Sequence, residues 1–350
     1  LKKNILILML VFISVLSGCR NIEMPLEAPV VEMNDSYEIK AEDLFPFTEN
    51  TIYVYEGYGN EYASQEVFFE YIDSNLAQIK VINSGTNSVR ILQKTIDGIK
   101  EVYFEGEFYH IEDMRYSKPI KDVMTIKNPI EVGNSWIVDD KYTREITGID
   151  VELDTPYGKF NAVEITTTLE NDTKLISYYK EGIGQVGSIF SSPDGDIKTL
   201  LKEIISGPIE REIRLFYPTD STTMKTVWTN HTLKFNTNDR LEDIFNQVFT
   251  NPVKDGLIPL ISEETIINSI NFDRSTWRVT IDFSDELIPG WNAGSTFELQ
   301  LIKSIVNTLG SFFDTDKVYI SIEGKPFESG HLQIKEGEEF IVDYSDIDEF

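Results

Sequence analysis

The sequence predicts an α+β protein: a mostly antiparallel β region, a meander or open barrel, followed by a small α/β sandwich of order ββαββαβ. Three observations carry this. From about residue 42 to 203, short runs rich in branched and aromatic residues recur roughly every ten residues between turn signals. Amphipathic helical periods appear only after Pro208. Between the two helical runs, "WRVTIDFS" alternates as a half-buried strand does. The 350 residues allow two domains of ordinary size, and a hydrophobic share of 41% can fill their cores.

In chain order, the first segment is an export signal. Lys2 and Lys3 precede "ILILMLVFISVL", an uncharged apolar run of about a dozen residues, within signal-peptide range. It falls short of the roughly 20 residues a spanning helix needs. Leu16, Ser17, Gly18 and Cys19 follow, and this stretch resembles the bacterial lipobox. The resemblance implies removal of residues 1–18 and a diacylglycerol thioether on Cys19. That lipid is the only group expected on the chain; no other cofactor is. The alternative is an uncleaved anchor with an incidental cysteine. Either way the body lies on the extracytoplasmic side of the cytoplasmic membrane; in the lipobox reading the lipid is its membrane contact. Residues 19–41 carry two prolines, several acids and no period, and they read as a tether.

Charge and residue counts narrow the function. There are 59 acidic against 31 basic side chains, a net charge of −28. That surface repels nucleic-acid backbones and anionic headgroups, so any membrane attachment is covalent or hydrophobic. One cysteine excludes an internal disulfide and a cysteine-based zinc site. His110, His231 and His331 are far apart, with no HExxH pairing. No catalytic or metal-ligating residue is therefore expected. The oligomeric state stays open.

The β region reads "EVFFEYIDS", "LAQIKVINS", "SVRILQKTI", "KEVYFEGEFYHI", "NSWIVDD", "YTREITGIDVELD", "KFNAVEITTTLE" and "KLISYYKEG". "TPYGKF" and "SSPDGDIK" are hairpin turns, the second joining "GQVGSIF" to "IKTLLKEII". Gly182, Gly184 and Gly187 match GxGxxG, but "SIFSSPDGD" follows and cannot be the helix a dinucleotide site needs. The glycines are read as easing a turn and a twisted strand.

Gly207-Pro208 opens the second region, 208–345. "NDRLEDIFNQVFT" is a helix with Leu241, Ile244, Phe245, Val248 and Phe249 on one face and Asn238 as its cap. "ETIINSINF" pairs across "DRST" with the strand holding Trp277, Val279, Ile281 and Phe283 on its inner face. "STFELQLIKSIVNTLGSFF" is the second helix, with a capping box of Ser295 and Glu298, a buried stripe from Leu301 to Leu309 and a stop at Gly310. "KVYISIEG" follows with Val318, Ile320 and Ile322 inward. The helices are expected on one face of a small sheet. "LFYPT", "DGLIPLISEETIINSINFD", "VTIDFSDEL", "GSTFELQLIKSIVNTLGSF" and "VYISIEGKPF" together resemble the sporulation and spore germination domain, GerMN. The resemblance implies an extracytoplasmic interaction module without catalytic residues.

Three functions compete. The first is a non-enzymatic envelope lipoprotein that contacts envelope proteins in sporulation or germination. Ile288 and Trp291 in "IDFSDELIPGWNAG" are its candidate partner contacts, the alternative being that Trp291 folds back on its own domain. The second is a carrier of a lipid-like or other apolar ligand in the β region, which a cavity would favour and a solid core would sink. The third is a cell-wall hydrolase, which would need a carboxylate pair in a perturbing environment.

Overall fold

Two antiparallel meanders, joined through their first and last strands, make the N-terminal half. The computed structural model describes residues 38–219 and 225–350. A short helix α1 (Ala41–Leu44) leads into β1 (Thr51–Tyr58), β2 (Gln65–Ile72), β3 (Leu76–Asn83), β4 (Asn87–Thr95), β5 (Gly98–Gly106) and β6 (Val123–Lys127). The second meander is β7 (Ser135–Val138), β8 (Tyr142–Thr155), β9 (Gly158–Thr168), β10 (Lys174–Lys180), β11 (Gly184–Ser192) and β12 (Gly195–Ser206). The 12-stranded sheet runs β6-β5-β4-β3-β2-β1-β12-β11-β10-β9-β8-β7. It is the near-barrel that the strand spacing predicts. The sequence pattern misses β1 and β6.

The end strands β6 and β7 are not paired by a ladder among the described residues. Side chains join them instead. Trp136 Nε1 and Arg144 Nη1 each donate to the Met124 carbonyl at 2.9 Å, and Asn134 Nδ2 donates to that of Lys127 at 3.1 Å. Covering the edge carbonyls in this way removes the exposed template that an open sheet presents.

Both expected hairpin turns are present: Thr155 pairs with Gly158, and Ser192 with Gly195. The GxGxxG run lies at the β10–β11 turn, where Gly182 takes φ 74°. An antiparallel strand follows it, as the turn reading requires.

The second region contains β13 (Ile209–Pro218), β14 (Thr226–Phe235), α2 (Leu241–Thr250), β15 (Ile267–Asp273), β16 (Arg278–Phe283), α3 (Leu287–Trp291), α4 (Ser295–Phe313) and β17 (Lys317–Ile322). Three two-residue strands end it: β18 (Lys325–Pro326), β19 (Phe340–Ile341) and β20 (Asp348–Glu349). The expected order holds, with α3 added. The single small sheet does not. β13-β14-β20 form one sheet, and β15-β16-β17-β18, with β19 on β17, form another. Helix α4 touches strands of both sheets. It is therefore buried beyond its apolar stripe, and Ser304, Asn307 and Thr308 are fully inaccessible. Thr308 Oγ1 accepts the Phe216 N–H at 3.0 Å, tying α4 to β13.

Local signals were redirected by tertiary partners in four places. The N-cap of α2 is Arg240; Asn238 instead takes φ 68° and accepts the Ile72 N–H at 2.8 Å. The N-cap of α4 is Gly294, without a side-chain cap; Glu298 is buried and accepts from Ser329 Oγ at 2.5 Å. Trp277 is half exposed in the hairpin turn, its indole donating to the Asp314 carbonyl, while Val279, Ile281 and Phe283 are fully buried. Ile322 is only partly buried.

Gly310 does not stop α4, which continues to Phe313 and ends at Asp314 in the left-handed region. Its task is close approach. A Cβ there would collide with Val342 and lie 2.8 Å from the Thr315 carbonyl oxygen. In an open helix Gly→Ala gains about 1 kcal/mol. Overpacking costs about 1–3 kcal/mol, and a backbone oxygen yields less than a rotamer. Gly310→Ala is thus expected to lower the urea midpoint; a raised midpoint would refute the close-approach role.

The two regions share a core. Phe68, Tyr71 and Ile111 cluster with Leu215, Phe245 and Phe313 of the second region. Thr237 Oγ1 donates to the Phe69 carbonyl at 2.7 Å, and Thr237 N–H donates to Asn50 Oδ1 at 2.8 Å.

Candidate functional site

Alternation within the near-barrel sends every second side chain inward. Tyr53 and Tyr55 of β1, Val67 and Phe69 of β2, Ile79 and Val81 of β3, and Ser177 and Tyr179 of β10 all line a cavity of about 400 Å³. Phe45 and Pro46, just after α1, line it as well. The space is continuous with solvent rather than sealed. It is not a solid core, so the condition that would sink a carrier role is not met.

One part of the wall is charged. Arg90 and Leu92, two apart on β4, both line the cavity as strand alternation requires, and across them β5 carries one extra residue, Val102, between the partners of Ile91 and Leu92. Glu101 of β5, 9% exposed, receives Lys121 Nζ at 2.8 Å on one oxygen and Arg90 Nη1 at 3.3 Å on the other. Arg144 of β8 uses Nε on Thr167 Oγ1 at 2.8 Å and Nη1 on Met124 O. Burial lowers the Arg144 pKa, while Tyr179, Glu101 and Asp139 act in the opposite direction. The Tyr55 hydroxyl donates to the Gln185 carbonyl at 2.8 Å, and burial pushes its pKa well up. These phenols are therefore neutral hydrogen-bonding groups at any ordinary pH.

A second polar cluster lies on the outer face of β2 and β3, beneath the segment after β5. Lys80 Nζ donates to the carbonyls of Phe108 at 2.8 Å and His110 at 2.7 Å. It lies 3.3 Å from Glu70 Oε1, close enough to pair but not aligned as a hydrogen bond. Burial pulls the Lys80 pKa down to about 8, against the opposing pull of Glu70, so the ammonium is charged at neutral pH. Arg274, from the β15–β16 turn, reaches Glu112 at 2.8 Å and Glu105 at 3.3 Å. His110 sits 3.2 Å from Glu112, and burial holds its pKa below the usual imidazole value. This cluster joins the two regions and is structural.

The expected site residues divide in two. Leu16, Ser17, Gly18 and Cys19 lie outside the described residues. Ile288 and Trp291 belong to α3, and neither is an exposed anchor. Trp291 is 9% exposed, its Nε1 donating to the Leu260 carbonyl at 2.7 Å, and Ile288 packs on the same core. A helix where a loop was expected turns both inward, so the fold-back alternative is what the structure displays. Among the described residues, no three His, Cys, Asp or Glu side chains gather as a metal site. No described helix is long and apolar enough to cross a membrane.

Residues 214–328 match the family model Germane, described as sporulation and spore germination. The tandem GerMN domains of the sporulation protein GerM from Bacillus subtilis are 21% identical, covering 38% of this chain and 45% of that one, with a TM-score of 0.29. This chain thus spans under half of that tandem structure. The first GerMN domain of the same protein is 17% identical, over 38% of this chain and 99% of that one, with a TM-score of 0.28. A candidate lipoprotein from Clostridium perfringens is 16% identical, over 39% of this chain and 92% of that one, with a TM-score of 0.24. No curated protein matches.

Proposed function

We propose that this chain is a non-enzymatic lipoprotein, held by a lipid on Cys19 to the outer side of the cytoplasmic membrane. Its second region serves protein contacts in sporulation or spore germination. The observation that carries this is the Germane match over residues 214–328, a model of sporulation and germination rather than of an enzyme family. The Leu16–Cys19 pattern supplies the anchor.

Cys19→Ser is expected to abolish acyl labelling and release the protein or leave its precursor unprocessed. Retained labelling would overturn the anchor. For the contacts, a photo-crosslinker is placed in the full chain at Leu299 on α4, which is exposed, and at Ile96 in the β4–β5 turn, also exposed. An envelope protein captured reproducibly from position 299 and not from 96 is expected. Capture from 96 alone, or from neither, would overturn an interaction role for the second region.

A second reading is that the near-barrel carries a ligand. The cavity of about 400 Å³, within the usual range for small-molecule sites, favours it.

A further inference from the structure

We propose that the near-barrel cavity binds an anionic amphiphile, its carboxylate or phosphate headgroup held by Arg144, Lys121 and Arg90 and its apolar body lying against the hydrophobic wall. This rests on the carrier reading and adds the ligand's charge and polarity.

The first argument is the sign of the charge. The chain carries −28 overall, yet three of the five charged side chains lining this cavity are cations. The anions among them are Glu101 and Asp139. A concave, low-dielectric wall focuses that local field and favours an anion despite the acidic exterior.

The second argument is spare hydrogen-bonding capacity. An ammonium has three donors and a guanidinium five. Lys121 and Arg90 each give one bond to Glu101, on separate oxygens. Arg144 forms no ion pair with a described carboxylate, and its Nη2 makes no hydrogen bond to the described residues. A partly buried guanidinium bonded directly to a hydroxyl and carbonyls, with Glu101 and Asp139 acting on it only from a distance, is open to a direct ion pair with an arriving anion.

The third argument is segregation. Val67, Phe69, Ile79, Leu92 and Ile165 give the cavity a wall that a bare inorganic anion would not use. A ligand with one charged end and one apolar body satisfies both surfaces. The spatial logic matches ordinary ligand sites, mostly apolar with a few convergent polar groups.

The test is titration calorimetry on the compact unit from Ile39 to Phe350, without detergent. The probes are laurate, lauryl phosphate, lauryl alcohol and inorganic phosphate. Laurate and lauryl phosphate are expected to bind one to one, at least about ten-fold more tightly than the alcohol, which is the worth of one charge-assisted hydrogen bond. Inorganic phosphate alone is expected not to bind measurably. Lys121→Met and Arg144→Met are each expected to weaken laurate about ten-fold and leave the alcohol unchanged. Lys121 is partly exposed and outside the Trp136 contact, so it keeps the test valid if Arg144→Met fails to fold. Equal binding of alcohol and laurate would overturn headgroup recognition and leave the carrier reading standing. Inorganic phosphate binding as tightly as lauryl phosphate would overturn the amphiphile in favour of a simple anion site. No binding by any probe would overturn both.

Discussion

Lys80→Met is expected to cost about 3–5 kcal/mol of folding stability, the range for breaking one side of a buried ion pair. The side chains of Lys80 and Glu70 are 0% and 2% exposed, so neither can recover hydration when the other is lost. Methionine matches the length of the stem and leaves little cavity. It strips donors from the Phe108 and His110 carbonyls and leaves the Glu70 carboxylate with Gln78 Nε2, at 2.7 Å, as its side-chain donor among the described residues. Surface pairs behave differently: Lys159 and Glu152, each 69% exposed, stay hydrated with or without each other and contribute little. Urea denaturation should show a lowered midpoint at an unchanged slope. The double variant Lys80→Met with Glu70→Gln should recover much of the loss, because the stranded carboxylate is then neutral. A single variant within about 1 kcal/mol of the parent would show that the pair contributes little net stability.

Lys80 also shows why part of this protein is legible in its sequence and part is not. In "LAQIKVINS" it reads as the solvent-facing member of an alternating strand. Alternation correctly places the strand, but it cannot reveal that the outer face is covered by residues 108–114 and by the second region. The same limit applies to Ser295 and Glu298. The capping pattern is present, yet Glu298 is drawn to Ser329, 31 residues further on. Periodicity found α2, α4 and most strands because burial there follows local repeat. It could not divide the second region into two sheets, since the choice depends on which strands pair across α4. The cavity was illegible for a related reason. Arg90, Glu101, Lys121 and Arg144 come from separate strands and a loop, and only barrel curvature brings them to one wall. The one available signal was Arg90 and Arg144 inside otherwise strand-like runs.

Trp136→Ala is expected to cost about 3–5 kcal/mol, the range for truncating a buried aromatic side chain, and to open the barrel where it closes. β7 has 4 residues and, among the described residues, pairs only with β8. Its hold on β6 passes through side chains, and Trp136, 8% exposed, supplies both packing and the Nε1 bond to Met124. Arg144 and Asn134 would remain as the other bridges, so the opening should be local rather than global. Hydrogen exchange should therefore show β6 and β7 amides losing protection while β1 and β12, paired centrally, keep theirs. Trp136→Phe separates the two contributions. It keeps most of the buried ring but leaves the Met124 carbonyl with Arg144 alone, and should cost about 1 kcal/mol. Loss of that closure should also loosen Arg144, whose Nη1 shares the same carbonyl, and so weaken anion binding in the cavity. If Trp136→Ala cost under about 1 kcal/mol and β6 stayed protected, side-chain closure of the barrel would be wrong.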